Sequence, residues 1–321
     1  MRHPWAAITA ILAAMLAVSM PARAQNVDLQ TDLAKSQNDL AAEREPQAPP
    51  LPGETIFVIN PAVGKTNFLW AQIGLPETYN SNPATATTGL LGSDRFDPKL
   101  QLNFGFQLGS LQLSGNSALD ADRYGIPSPP NANAWLSTVK LAWNHNTLTD
   151  PSVANAIVPY LQYQPSVRFA SDFSSTSSRS NDFGGGVTLD ERALWFSKHD
   201  KNSWQISLDI TASRRIANTG DSTSLVLKQS VTLTDGAAKL QFAPSLRQRW
   251  FDDALGVSRR DTTLTVPFVL EYDAPFLQSV DGDIAFAVTY TRNYSNLSTK
   301  NSEQWNVGPM LELSHLFWSD G

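Results

Sequence analysis

Gln304-Trp305-Asn306-Val307-Gly308-Pro309-Met310-Leu311-Glu312-Leu313-Ser314-His315-Leu316-Phe317 is the stretch that decides how the chain is read. Every second residue from Trp305 to Phe317 is Trp, Val, Pro, Leu, Leu, His, Phe, an apolar row broken only at His315. The alternate set, Asn306, Gly308, Met310, Glu312, Ser314 and Leu316, is mostly small or polar. A strand turns successive side chains to opposite faces, so a period of two makes one oily face and one wetter face. A soluble sheet alternates in the same way. This strand is set apart by its length and by aromatics near both ends, which suit a strand crossing a bilayer with its ends at the interfaces.

Working back from it, nine further segments repeat the alternation: Lys99–Leu113, Trp135–Trp143, Ile157–Phe169, Val187–Phe196, Trp204–Ala212, Leu225–Leu233, Leu240–Trp250, Leu264–Tyr272 and Ile284–Tyr294. Val187–Phe196 is the least regular, because Glu191 falls on its apolar register. With the last strand this predicts ten strands, or twelve if Glu54–Ile73 supplies two more. Thr55–Ile59 and Asn67–Ala71 each read as a strand or as a segment lying in or under a barrel. Gly64-Lys65-Thr66 lacks the earlier glycine a phosphate loop needs.

The connections should alternate between long and short ends of the barrel. The expected long set includes Gly115–Ala134 and Ser171–Gly186. The short set includes the turns His199–Asn202 and Asp235-Gly236. The Ser/Asn-rich Ser174–Asn181 and the Pro/Asn-rich Ile126–Asn133 are expected as surface loops. Trp135 and Trp143 lie eight residues apart on one face. At ~3.3 Å per residue and a tilt of about 40° that is roughly 20 Å of height, close to the ~25 Å apolar band of a membrane barrel. Trp135, Trp143, Trp195, Trp204, Trp250 and Trp305 form the expected aromatic girdle. A soluble β-sandwich or lipocalin-like barrel would point these rows inward, and ten such strands would leave it an over-large interior.

The ensemble resembles the Gram-negative outer-membrane β-barrel class, over roughly Lys99 to Phe317. The last strand is similar to that class's C-terminal assembly signal, polar-x-Gly-x-x-apolar-x-apolar, as Asn306, Gly308, Leu311 and Leu313, with the aromatic at Phe317. Class members usually stop at that aromatic, whereas this chain continues through Trp318-Ser319-Asp320-Gly321. The resemblance implies an all-β, antiparallel, up-and-down transmembrane barrel in the cell outer membrane, with outer-membrane lipid and the barrel-assembly machinery as partners.

The N-terminus agrees with export. Arg2 and His3 precede an apolar run, Trp5–Val18, and then Ser19-Met20-Pro21-Ala22-Arg23-Ala24, an A-x-A site with the cut expected after Ala24. The run is short for a membrane anchor. Losing Arg2 and Arg23 takes the formal charge from −6 to −8, which argues against nucleic acid as a partner. Cysteine is absent, so neither disulfides nor thiolate chemistry contribute. Residues 25–53 read as a periplasmic tether. Leu29, Leu33, Ser36 and Leu40 share a helical face within Asn26–Arg44, and a Pro-rich Glu45–Gly53 follows. Asn26–Arg44 is too short for a stable isolated helix, and a periplasmic partner could use it as a handle. The expected organisation is signal peptide 1–24, tether 25–53, an ambiguous stretch 54–97 and barrel 98–318.

If the apolar register faces lipid, the opposite register lines the interior. It carries Lys99, Lys140, Arg168, Arg192, Lys228, Lys239, Arg247 and Arg249 against Asp190, Asp209, Glu271 and Glu312. Such a basic wall would favour anions, or its charges would pair and fill the interior. A catalytic constellation is not legible. His145, His199 and His315 show no convergence with a nucleophile, and neither H-E-x-x-H nor G-x-S-x-G occurs. No catalytic residue, metal site or cofactor is expected. The reading is a narrow channel for uptake or export of small solutes with a mild anion preference. The alternative is a closed structural or interaction barrel working through its loops or tether, and an outer-membrane hydrolase comes third.

Overall fold

A computed structural model of the chain describes residues 67–81, 92–125, 132–143, 155–191, 202–218, 220–252, 258–280 and 282–319. Its strands are β1 (Phe68–Asn80), β2 (Ser93–Phe96), β3 (Lys99–Leu108), β4 (Leu111–Tyr124), β5 (Ala132–Trp143), β6 (Asn155–Ala170), β7 (Thr176–Glu191), β8 (Asn202–Ala217), β9 (Ser222–Asp235), β10 (Ala238–Phe242), β11 (Ser245–Phe251), β12 (Arg260–Tyr272), β13 (Gly282–Ser295) and β14 (Ser302–Ser319). All pair antiparallel with sequence neighbours, and β1 closes on β14 from Phe68↔Ser319 to Asn80↔Asn306.

Two pairs of segments are single wall strands interrupted by proline. β2 and β3 pair with β1 on one continuous register, Phe96 opposite Glu77 and Lys99 opposite Gly74, across Asp97-Pro98. β10 and β11 continue likewise across Ala243-Pro244, Phe242 opposite Val231 and Ser245 opposite Lys228. Proline has no N–H to give the ladder, so hydrogen bonding lapses there without a change of register. The wall is therefore a closed barrel of twelve strands, the higher of the two expected counts.

Twelve is reached by a different route from the one expected. One new strand is β1, which opens just after Asn67. The other comes from dividing Lys99–Leu113, because β3 ends at Leu108 and β4 starts back at Leu111. Gly109, with φ +63°, makes that two-residue turn, as Gly236 does between β9 and β10. The turn was legible as a phase change: the apolar residues are even-numbered through Leu108 and odd-numbered at Leu111 and Leu113. Thr55–Ile59 lies outside the described residues.

The expected long connections are largely strand. Gly115–Tyr124 belongs to β4 and Ala132–Ala134 to β5; Thr176 opens β7, leaving only 171–175 as the connection from β6. Ser174–Asn181 is thus mostly wall rather than surface loop. Its alternation is carried by Ser, Thr, Arg and Asn, which hydropathy does not separate. The contrast between long and short ends is not sustained. Strands β6, β7 and β8 of 16 residues each exceed the ~9–11 a tilted strand needs to cross a bilayer, so they rise beyond it. The turn at His199–Asn202 falls outside the described residues except for Asn202, which opens β8.

The apolar register faces outward. On β9, Leu225 and Leu227 are 45% and 43% exposed, whereas Ser224, Val226 and Lys228 between and beside them are less so. Ile210, Leu227, Leu246 and Leu264 are successive cross-strand neighbours on this outer face. The most deeply buried inward side chains include Gln72, Glu312 and Ser222. A cluster of buried apolar residues, Val269, Ala285 and Met310, lies between β12, β13 and β14. Polar groups within and apolar groups without invert the distribution of a soluble protein.

Candidate functional site: the barrel interior

Alternation carries each inward side chain to its place. The residues that interact within the interior come from adjacent strands or from strands two positions apart in the wall. Three residues before the end of β5, Lys140 Nζ stands 3.5 Å from the Tyr160 ring centroid and donates to Thr188 Oγ1 at 3.3 Å. Thr188 donates to Asp209 Oδ2 at 2.8 Å and Tyr160 to Asp209 Oδ1 at 2.7 Å, while Tyr160 and Thr211 share a further hydrogen bond. Lys228 is the cross-strand partner of Asp209. Toward the rim holding both chain ends, Lys239 pairs with Glu271 at 3.4 Å, and buried Gln72 donates to Glu312 at 2.8 Å.

Toward the opposite, far rim, Arg95 donates Nε to Asp122 at 2.7 Å and an Nη to Asp97 at 2.9 Å. Lys99 reaches the same Asp97 at 3.1 Å, and Asp120 is buried beside them. Arg215 pairs with Asp182 at 3.8 Å, and Arg259 with Asp261 through bonds of 2.5 and 3.1 Å. Outside the wall at that rim, Arg214 clasps Asp252, Asp221 and Thr223. The hydrogen bonds from Arg214 hold the Asp252 carboxyl below the usual carboxylate range.

Of the residues expected to line the interior, Lys99, Glu271 and Glu312 are buried, and Lys140, Arg168, Asp209, Lys228, Lys239, Arg247 and Arg249 are half-buried. The side chains of Asp190 and Arg192 lie outside the described residues. The inward register also holds carboxylates that sequence reasoning did not place there: Asp97, Asp120, Asp122, Asp182, Asp261 and Asp283. Two sequence signals were available, since Arg95-Asp97-Lys99 and Asp120-Asp122-Tyr124 run at period two, in phase with their neighbours.

The charges are divided by side of the barrel. From β12 through β14 and β1 to β4, the described inward charges are Asp97, Asp120, Asp122, Asp261, Glu271, Asp283 and Glu312 with Arg95, Lys99 and, at the entry to β12, Arg259. From β5 to β11 they are Lys140, Arg168, Arg215, Lys228, Lys239, Arg247 and Arg249 with Asp182 and Asp209.

Of the expected girdle, Trp143, Trp250 and Trp305 are exposed on the outer face, and Trp305 packs on Tyr290 at 4.7 Å between ring centroids. Trp135 is half-buried, its indole N–H donating to Ser117 at 2.8 Å. Trp195 and the Trp204 side chain lie outside the described residues. In the proposed assembly signal, Leu311 and Leu313 face out and Gly308 faces in. A Cβ at Gly308 would lie 2.1 Å from the Glu77 carbonyl oxygen, so glycine is needed by the closing seam itself. Past Phe317, Trp318 and Ser319 belong to the wall. A bulge opposite Leu69/Trp70 sets Trp318 across from Leu69 and beside Phe106, with ring centroids 6.2 Å apart. His315 is exposed, edge-on to Phe317 at 5.0 Å; His145 and His199 lie outside the described residues.

A closed sheet leaves no unpaired edge for hydrocarbon to meet, and an apolar outer face ringed by aromatics matches a bilayer. The fold and its inverted faces define an integral β-barrel of the membrane. A closed antiparallel barrel with an apolar outer face is the architecture of the outer-membrane β-barrels, the class that the sequence resembles.

Neither a family model nor a curated protein matches the chain. Solved structures similar to it include an outer membrane channel from Pseudomonas putida F1, at 10% identity and TM-score 0.47, covering 81% of this chain and 100% of that one. Others are the β domain of the Bordetella autotransporter BrkA (8%, TM-score 0.38, 79% and 99%) and a BenF-like porin from Pseudomonas fluorescens Pf-5 (10%, TM-score 0.29, 77% and 99%). At these scores the likeness is of one barrel to others in the broadest sense, and the assignment rests on the chain's own wall.

Proposed function

We propose that the protein is a narrow outer-membrane channel for uptake or export of small solutes, with a mild anion preference, its chain ends on the periplasmic side. The observation that carries the preference is unequal access. Lys140, Arg168, Lys228, Arg247 and Arg249 on the β5–β11 side are half-buried and reached by solvent, whereas Glu271 and Glu312 opposite are buried and held by Lys239 and Gln72. A mobile ion therefore meets more cationic than anionic surface along that side. Replacing Arg247 and Arg249 together with Glu should move the reversal potential of the conducting barrel toward cations. An unchanged reversal potential would remove these residues from the conducting path.

A second reading, a barrel closed by its own side chains and acting through its loops or tether, is favoured by the Lys140–Tyr160–Thr188–Asp209 cluster, which links four successive wall strands. A conductance step separates the two. Recognition of Asn306, Gly308, Leu311, Leu313 and Phe317 by the assembly machinery, and of Asn26–Arg44 by a periplasmic partner, belongs to the same proposal.

A further inference from the structure

With β1 as the first wall strand, β4 is the third of twelve and the β10/β11 strand the ninth, so the two stand diametrically across the barrel. On β4, inward-facing Asp120 and Asp122 lie four and two residues short of the strand's far end at Tyr124. On β11, inward-facing Arg247 and Arg249 lie four and two residues short of the far end at Phe251. The two pairs therefore stand at one level near the far rim. Asp97 reinforces the acidic side. It is 3% exposed, and its Oδ1 accepts no hydrogen bond among the described residues, while Oδ2 takes Arg95 and Lys99. Three carboxylates against two cations leave that side net negative, and it faces Arg247 and Arg249, beside which Asp261 is paired with Arg259.

Opposed charge across a lumen makes a transverse field. Such a field couples to a solute's dipole as well as to its net charge, and low-dielectric walls focus it. We infer that the far-rim mouth selects dipolar solutes: small zwitterions bearing both a carboxylate and an ammonium group. The carboxylate turns toward Arg247 and Arg249, and the ammonium toward the acidic side, where Asp122 is half-buried and buried Asp97 and Asp120 act through the field. An uncharged solute of equal size meets only the steric limit. The inference rests on the channel reading above and names the solute class for it.

The test is proteoliposome swelling with two isomers, zwitterionic β-alanine and uncharged lactamide, using protein shown to be folded by heat-modifiable gel migration. The wild type should admit β-alanine about tenfold faster, the low end of focused-field effects. Arg247→Gln with Arg249→Gln should bring the ratio near one. Asp120→Asn, a milder change on the other side, should lower the ratio part of the way. Swelling in lactamide with no β-alanine advantage in the wild type, or an advantage that survives both variants, overturns the inference and leaves the channel standing. No swelling in either isomer overturns the channel reading, and the inference with it.

Discussion

Replacing Leu227 with Arg asks the wall which of its faces meets lipid. Leu227 lies near the middle of β9, is 43% exposed, and sits in an outward row with Ile210, Leu246 and Leu264 on adjacent strands. Hydrocarbon at mid-depth offers a guanidinium no partner, and an outward Arg there costs about 2–4 kcal/mol. That is roughly a 30- to 700-fold loss in the folding equilibrium constant. Ser230, three residues along β9, faces inward opposite Ser207, where polar groups are the rule. Ser230→Arg should cost less than about 1 kcal/mol, since interior substitutions tune selectivity more than stability. The assay is reversible guanidinium unfolding in lipid vesicles, followed by tryptophan fluorescence. A soluble barrel would accept Arg at an outward position within about 0.5 kcal/mol. Near-equality of Leu227→Arg with wild type, or a greater cost at Ser230, would refute the outward assignment.

Three further predictions follow from the same structure. Gly308→Ala should destabilise the closing seam by about 1–3 kcal/mol in the same titration, because the neighbour its Cβ would meet is the Glu77 backbone carbonyl rather than a side chain that can swing away. Gln72→Leu should cost about 1.5–3 kcal/mol by removing a donor from buried Glu312, and adding Glu312→Leu should restore most of the loss, as a double-mutant cycle would show. Pro244→Ala should stabilise by about 0.5–1.5 kcal/mol, since Gln229 already donates to the residue-244 carbonyl at 3.0 Å and alanine supplies the returning N–H; a loss of stability would mean that the break itself is needed.

What could be read from the sequence follows how strongly each face is marked. β14 and β12 were legible because long apolar residues alternate with small or polar ones along most of their length. The far half of β7 was not, because Ser178, Ser180 and Asp182 face inward while Ser177, Arg179 and Asn181 face outward, leaving no hydropathic contrast. β4 was missed for a related reason: its inward Ser114, Asn116, Asp120 and Asp122 resemble a polar loop once the turn at Gly109-Ser110 is overlooked. The interior suffered most from these omissions. Carboxylates assigned to connections return to the wall once those connections become strand. A lining read as basic, eight cations against four carboxylates, then becomes one with a cationic side and an anionic side. That division depends on which strands stand opposite, a property of closure order that local spacing does not carry.

The most direct test of the central claim, an inverted barrel with a conducting interior, is single-channel recording of the refolded protein, Gln25 to Gly321, in a planar bilayer under a salt gradient. Discrete current steps with a modestly anion-selective reversal potential are the predicted result. Electrical silence from protein shown to be folded and inserted would contradict it, leaving a barrel closed by its own side chains.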